Sequence, residues 1–273
     1  TVTSIGGRLL RNWLLRPLLM LDAIRDRLDA VEELAFRAVE RGRCRERLAA
    51  VQDIERLLAR VSMGTASPRD LGGLRVSLGA VPAVAEALDS PQAPLLRSLV
   101  AGLDDVPELR RRLDETLADE LPAVVREGGF TRDGLDPELD SLRAISRSGR
   151  HTIAEMEEAE RARTGIASLK IRFNRVFGYY IEISRANLHA VPPDYHRKQT
   201  IAGGERFITP ALKEYEERVL GADERILARE LEIFESLRAA VAAEAVRIQE
   251  TARALAGIDA LAGLAEAASL GDY

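Results

Sequence analysis

Seven basic residues fall between Gly165 and Thr209: Lys170, Arg172, Arg175, Arg185, Arg197, Lys198 and Arg206. Only Glu182, Asp194 and Glu205 oppose them, so the stretch carries +4 on a chain whose net charge is -5. Two of the three lysines lie in it. A local excess of cations on an acidic chain suits phosphate, which lysine meets as a point charge and arginine as a planar fork. A solvated outer face with no ligand is the competing reading. Other chemistry finds little support. No G-x-x-x-x-G-K-[ST] run is present to cradle a nucleotide. His151, His189 and His196 lack metal-ligand spacing, and the single cysteine, Cys44, has no partner. The histidines read as surface or structural, with His196 beside the cations Arg197 and Lys198, and Cys44 as an inert thiol fitting a reducing compartment. No catalytic centre, metal or cofactor is therefore expected among these residues.

The same stretch changes period. Leu169, Ile171 and Phe173 alternate with Lys170, Arg172 and Asn174, and Tyr179, Ile181 and Ile183 alternate with Tyr180, Glu182 and Ser184. Period two with β-branched and aromatic residues predicts half-buried strands. Gly178 and Ala202-Gly203-Gly204 are placed to turn hairpins, where glycine supplies positive φ. An antiparallel sheet of three or four strands, with one apolar and one charged face, is expected over about 165–209. Alternation sends Tyr179 and Tyr180 to opposite faces, so sheet packing is preferred over base stacking for them.

Around the sheet the sequence is helical. Apolar residues make up 46% and charged ones 30%, while aromatics are only 4%, which points to long helices packed through Leu, Ala, Val and Ile. Thr3 or Ser4 caps a first helix that Pro17 stops. Helices are expected at about 22–39 and 45–60, with Gly64 ending the second. Ser67-Pro68-Arg69-Asp70 is a capping box with proline at the first helical position. Pro82, Pro91, Pro94 and Pro107 are expected to divide the next segment into short helices. Asp136-Pro137 opens a long helix toward Arg163, and Thr209-Pro210 opens a return helix that, if it reaches Arg253, is about 65 Å long. These two helices read as an arm carrying the sheet. No apolar run is seen to approach a membrane span. The chain opens on Thr1 within helical sequence and is read as a piece of something longer.

The run Leu169–Ser184, then Asp194-Tyr195-His196-Arg197-Lys198-Gln199-Thr200, then Glu205–Glu216, closely resembles the clamp region of the MutS family of DNA mismatch-repair proteins. Gly7–Leu18, Asp53–Leu57 with Ala66–Leu71, Gly134–Leu139 and Glu160–Gly165 resemble the lever segments of that family. The resemblance implies a mainly α fold: a helical lever with long coiled helices and a small antiparallel β-sheet clamp inserted between them. It divides the chain into a first lever part at 1–134, a clamp arm at 135–217, and a returning lever part at 218–273 before an ATPase domain. It implies that the clamp holds the backbone of double-stranded DNA without reading sequence and that the lever couples this to the ATPase domain, which would hold ATP and Mg. A MutS dimer partner and a MutL-type partner are implied, as is a bacterial, cytoplasmic, DNA-associated location with no membrane. Onto this sequence the family places Asn174 at a turn near DNA, and Arg197, Lys198, Gln199 and Thr200 in the run entering the second hairpin. Lys170, Arg172 and Arg175 join them by charge. Where the family commonly has Lys-Asn-Ala, this chain has Ala202-Gly203-Gly204, which leaves the backbone N–H groups of Gly203 and Gly204 to meet a phosphate. Two alternatives stand beside DNA-backbone binding. One is a structural, protein-interaction arm without DNA; the other is the clamp of a MutS paralogue acting on recombination intermediates.

Overall fold

Cap residues and prolines set most helix starts, as local chemistry dictates. The computed structural model describes residues 1–174 and 178–271. It divides into two compact units, Thr1–Arg132 with Leu231–Tyr273, and Asp133–Glu230.

In the first unit, α1 (Ser4–Leu15) is capped by the Thr3 hydroxyl, which accepts from the Gly6 N–H at 3.0 Å. The segments α2 (Leu21–Phe36) and α3 (Ala38–Leu48) come next, then α4 (Ile54–Ser62) and α5 (Pro68–Ala87). The expected helix at 45–60 is thus two helices. Asp53 interrupts it: its carboxylate caps α4 by accepting from the Arg56 N–H and takes both guanidinium nitrogens of Arg8 at 2.5 and 2.6 Å. Arg8 holds the Asp53 carboxyl below the usual carboxylate range. Likewise the helix expected to 39 ends at Phe36. Gly64, at φ +71°, closes α4, where the Thr65 N–H donates back to the Arg60 carbonyl. The capping box at Ser67 and Asp70 is formed as expected. Pro82 does not divide the chain; it lies inside α5, where it costs one backbone hydrogen bond. Pro94 and Pro107 start α6 (Pro94–Ala101) and α7 (Pro107–Thr116).

The expected unbroken return helix is also two helices, α9 (Pro210–Ala243) and α10 (Ala245–Gly271). The ladder tightens at Glu244, whose N–H donates to the Val241 carbonyl three residues back. Residues Ala254–Ala262 of α10 are buried on all sides. By length and composition α10 matches a membrane span, contrary to the expectation from the sequence, and its all-round apolar surface is that of a central core helix. Asp259, itself buried, accepts from the N–H groups of Val2 and Thr3 and from the Thr3 hydroxyl, at 2.6–2.8 Å. Cys44 is fully buried, and burial pushes its thiol up to about 12, so it is inert as expected.

The second unit pairs α8 (Pro137–Thr164) with the first part of α9 and inserts a sheet between them. Asp136 caps α8 by accepting from the Leu139 N–H, and Gly165, at φ +70°, ends it. Strands β1 (Lys170–Asn174), β2 (Gly178–Ser184), β3 (His196–Ile201) and β4 (Gly204–Ile208) form one antiparallel sheet in the order β1-β2-β4-β3. Ile171, Ile181, Ile183 and Phe207 turn toward Leu212, Tyr215 and Val219 of α9 and Met156 of α8, which make a second core. The Arg143 guanidinium donates to Glu230 at 2.7 Å and to Asp133 at 2.9 Å, with Glu230 fully buried. Removing one partner of such a pair takes a charge-assisted hydrogen bond from a buried carboxylate. Arg143→Leu is expected to destabilise this unit by about 3–5 kcal/mol, read as an earlier urea transition of the α8–α9 pair.

Candidate nucleic-acid interface

The strand register sorts the charged residues between faces. Lys170 pairs with Glu182, Glu182 with Arg206, and Arg206 with Gln199, so these four share one row. Arg172 pairs with Tyr180 and Asn174 with Gly178, two and four residues along β1 on the same face. Arg206 organises this face. Its guanidinium lies 4.3 Å from the Tyr180 ring centroid, approaches Glu182 at 3.6 Å and donates to the Gln199 side-chain oxygen at 2.9 Å. Tyr180 is buried beneath it, and Tyr179 packs in a tilted and an edge-on contact with Phe173 and Tyr215. Phe173, expected on the apolar face, is half exposed at the end of β1.

A β-bulge in β3 changes the sequence-based assignment. The register shifts between Arg197 and Gln199, leaving Lys198 as the extra residue. Arg197 therefore pairs with Phe207 and Thr200 with Glu205, on the face opposite Gln199. Arg197 contacts Glu205 at 3.5 Å and is largely exposed. The structure thus brings Lys170, Arg172, Asn174 and Gln199 together, puts Lys198 in the bulge, and places Arg197 and Thr200 on the other side at the sheet edge. Arg175 and the side chain of His151 lie outside the described residues. His189 and His196 are exposed. Among the described residues no group of three His, Cys, Asp or Glu side chains could hold a metal ion.

The two turns use glycine differently. Gly178 has φ +69°, as expected for a tight turn. Gly203 and Gly204 keep φ outside the left-handed region; Gly204 is required because a Cβ there would overlap the Ile183 carbonyl of β2. That close approach shapes a notch of about 150 Å³ lined by Ser168, Lys170, Glu182, Ser184, Gly203 and Gly204. Gly203 is exposed with open space beside it. The start of β3 is pinned to α8: the Tyr195 hydroxyl donates to Glu160 at 2.7 Å, and Arg163 binds Asp194. Burial and the bond to Glu160 raise the Tyr195 hydroxyl's pKa above its ordinary value, while Arg163 holds Asp194 below its own.

A family model described as MutS domain III matches residues 1–265. The protein named DNA mismatch repair protein MutS from Symbiobacterium thermophilum is 51% identical over 273 residues, which is 100% of this chain and 31% of that protein. Its namesake from Solibacter usitatus is 48% identical over the same length, again 31% of that protein. That from Myxococcus xanthus is 48% identical over 269 residues, 98% of this chain and 30% of that protein. The chain spans about a third of the length of these curated relatives.

The contact at Gly204 makes a direct test of the face's construction. Gly204→Val is expected to part β4 from β2, seen as faster amide exchange at Ile183 and Ser184, whereas Gly203→Ala, which meets open space, is expected to leave exchange unchanged.

Proposed function

The chain belongs to the MutS domain III family, and we propose that it grips the phosphate backbone of double-stranded DNA on the open face of its sheet, without reading base sequence, as part of a mismatch-repair protein. The observation that carries this reading is the pair of exposed cations Lys170 and Arg172 on β1, with Lys198 exposed in the β3 bulge, on a sheet whose other face packs against α8 and α9, in a chain of net charge -5. Contacts from such side chains go to phosphates, which position a protein on DNA but carry no sequence information. Asn174, Gln199 and the Gly203 backbone add polar groups at the same surface, and Arg197 and Thr200 reach it only around the sheet edge.

The remaining expectations join this proposal. A second copy would close around the duplex, and a MutL-type protein would respond to the loaded state. The chain passes between the two units at Arg132–Asp133 and within α9 at Glu230–Leu231, and coupling to an ATPase would use these two connections. ATP and Mg belong with a nucleotide-binding loop elsewhere in the family's longer proteins, because the residues of this chain include no such loop. A cytoplasmic location goes with work on bacterial DNA.

Each cation that meets a phosphate releases condensed counterions, so affinity is expected to fall with a log–log salt slope of about -0.9 per contact. Arg172→Glu with Lys198→Glu is expected to weaken binding to every duplex alike and to flatten that slope, measured by fluorescence anisotropy. Unchanged binding would favour the protein-interaction arm. In competition between a fully paired duplex and one with a single G·T mispair, the preference is expected to stay below about threefold, or roughly 0.65 kcal/mol. A larger preference would mean that these residues sense the lesion themselves.

A further inference from the structure

β1 is an edge strand, so among the described residues its outward N–H and C=O groups have no neighbouring strand. Such groups ordinarily face water or invite another chain. Here α8 takes them up with a charged pair. The Glu157 carboxylate accepts from the Ile171 N–H at 2.8 Å, and the Arg161 Nε donates to the Leu169 carbonyl at 2.8 Å. The two side chains, one helical turn apart, bind each other at 2.5 Å. Leu169 and Ile171 are the residues on either side of Lys170. The backbone is therefore held from the edge immediately before and immediately after that lysine, while its side chain stays exposed beside the notch.

Lysine carries its charge on a flexible four-carbon stem. Where the charge can reach is then governed by how firmly the backbone beneath it is fixed, and freedom lost before binding is not lost again on binding. We infer that Glu157 and Arg161 are positioning residues for the DNA-backbone contact: they set Lys170, and Arg172 two residues on, at a fixed place relative to α8. The inference rests on the DNA reading above. It also makes β1 and the last turns of α8 a single body, so that a load on Lys170 is borne by the helix.

The test is a double-mutant cycle on the whole chain, with a fluorescent double-stranded DNA titrated at several salt concentrations. Glu157→Ala is expected to weaken binding about threefold or more and to lower the salt slope by up to about 0.9, one contact. Glu157→Gln, whose amide oxygen still accepts the Ile171 N–H, is expected to restore most of both. In a Lys170→Ala background Glu157→Ala is expected to add little, because the group it positions is gone. Arg161→Ala goes through the same cycle, so that a folding failure in one variant, seen by circular dichroism, leaves the other to decide. Equal losses in both backgrounds, or no loss from either variant, would overturn the positioning role while leaving the DNA reading in place. If Lys170→Ala itself binds like the parent, the DNA-face reading falls and the inference with it.

Discussion

The sheet of the second unit has strands of five to seven residues and an apolar face that cannot be left in water. α8 and α9 cover it with Met156, Leu212, Tyr215 and Val219. Once that cover is in place, the face of Lys170, Arg172 and Arg206 stays in water, and Arg197 and Thr200 are exposed at the edge of the covered one. The hydrophobic effect thus decides which charges stay in water, because burying one face leaves the other exposed. Arg206 then sacrifices its own availability. Stacked on Tyr180 and shared between Glu182 and Gln199, it ties three strands together on the exposed face.

The first unit solves a different problem. Its core is built almost wholly from aliphatic side chains, with an edge-on pair, Phe130 and Phe234, at 5.6 Å. The polar group at its centre, Asp259, is tolerated because three donors from the first three residues satisfy it. Gly6 is matched to this arrangement, since a Cβ there would overlap the Asp259 carboxylate. The start of the chain and the middle of α10 are thereby joined across more than 250 residues of sequence.

What could be read in advance was what local chemistry controls. Thr3, Ser67 with Asp70, Asp136 and Thr209 announce helix starts through their own side chains, and alternation announced the strands. The basic face was legible for β1, where period two holds throughout. In β3 alternation alone parts Thr200 from Gln199, and a bulge that inserts one residue sends Arg197 to the side of Thr200. Nothing within the strand signals that bulge; it exists only relative to β4. The break at Asp53 depends on Arg8, forty-five residues earlier. The role of Arg206 depends on which strand lies beside it, and the need for Gly204 on a carbonyl of β2. Pairings between distant segments fix these features, and a reading of spacing along one segment does not contain them.

Cys44 brings a practical consequence. It is the only thiol in the chain, and the packing of α3 keeps it protonated and enclosed. Maleimide reagents attack thiolates they can reach, so the natural background for labelling is silent in the folded chain. A cysteine introduced at an open position such as Gly203 would take a fluorophore or spin label alone, with no need to remove the native residue. The protein is in effect already a cysteine-free scaffold for distance measurements.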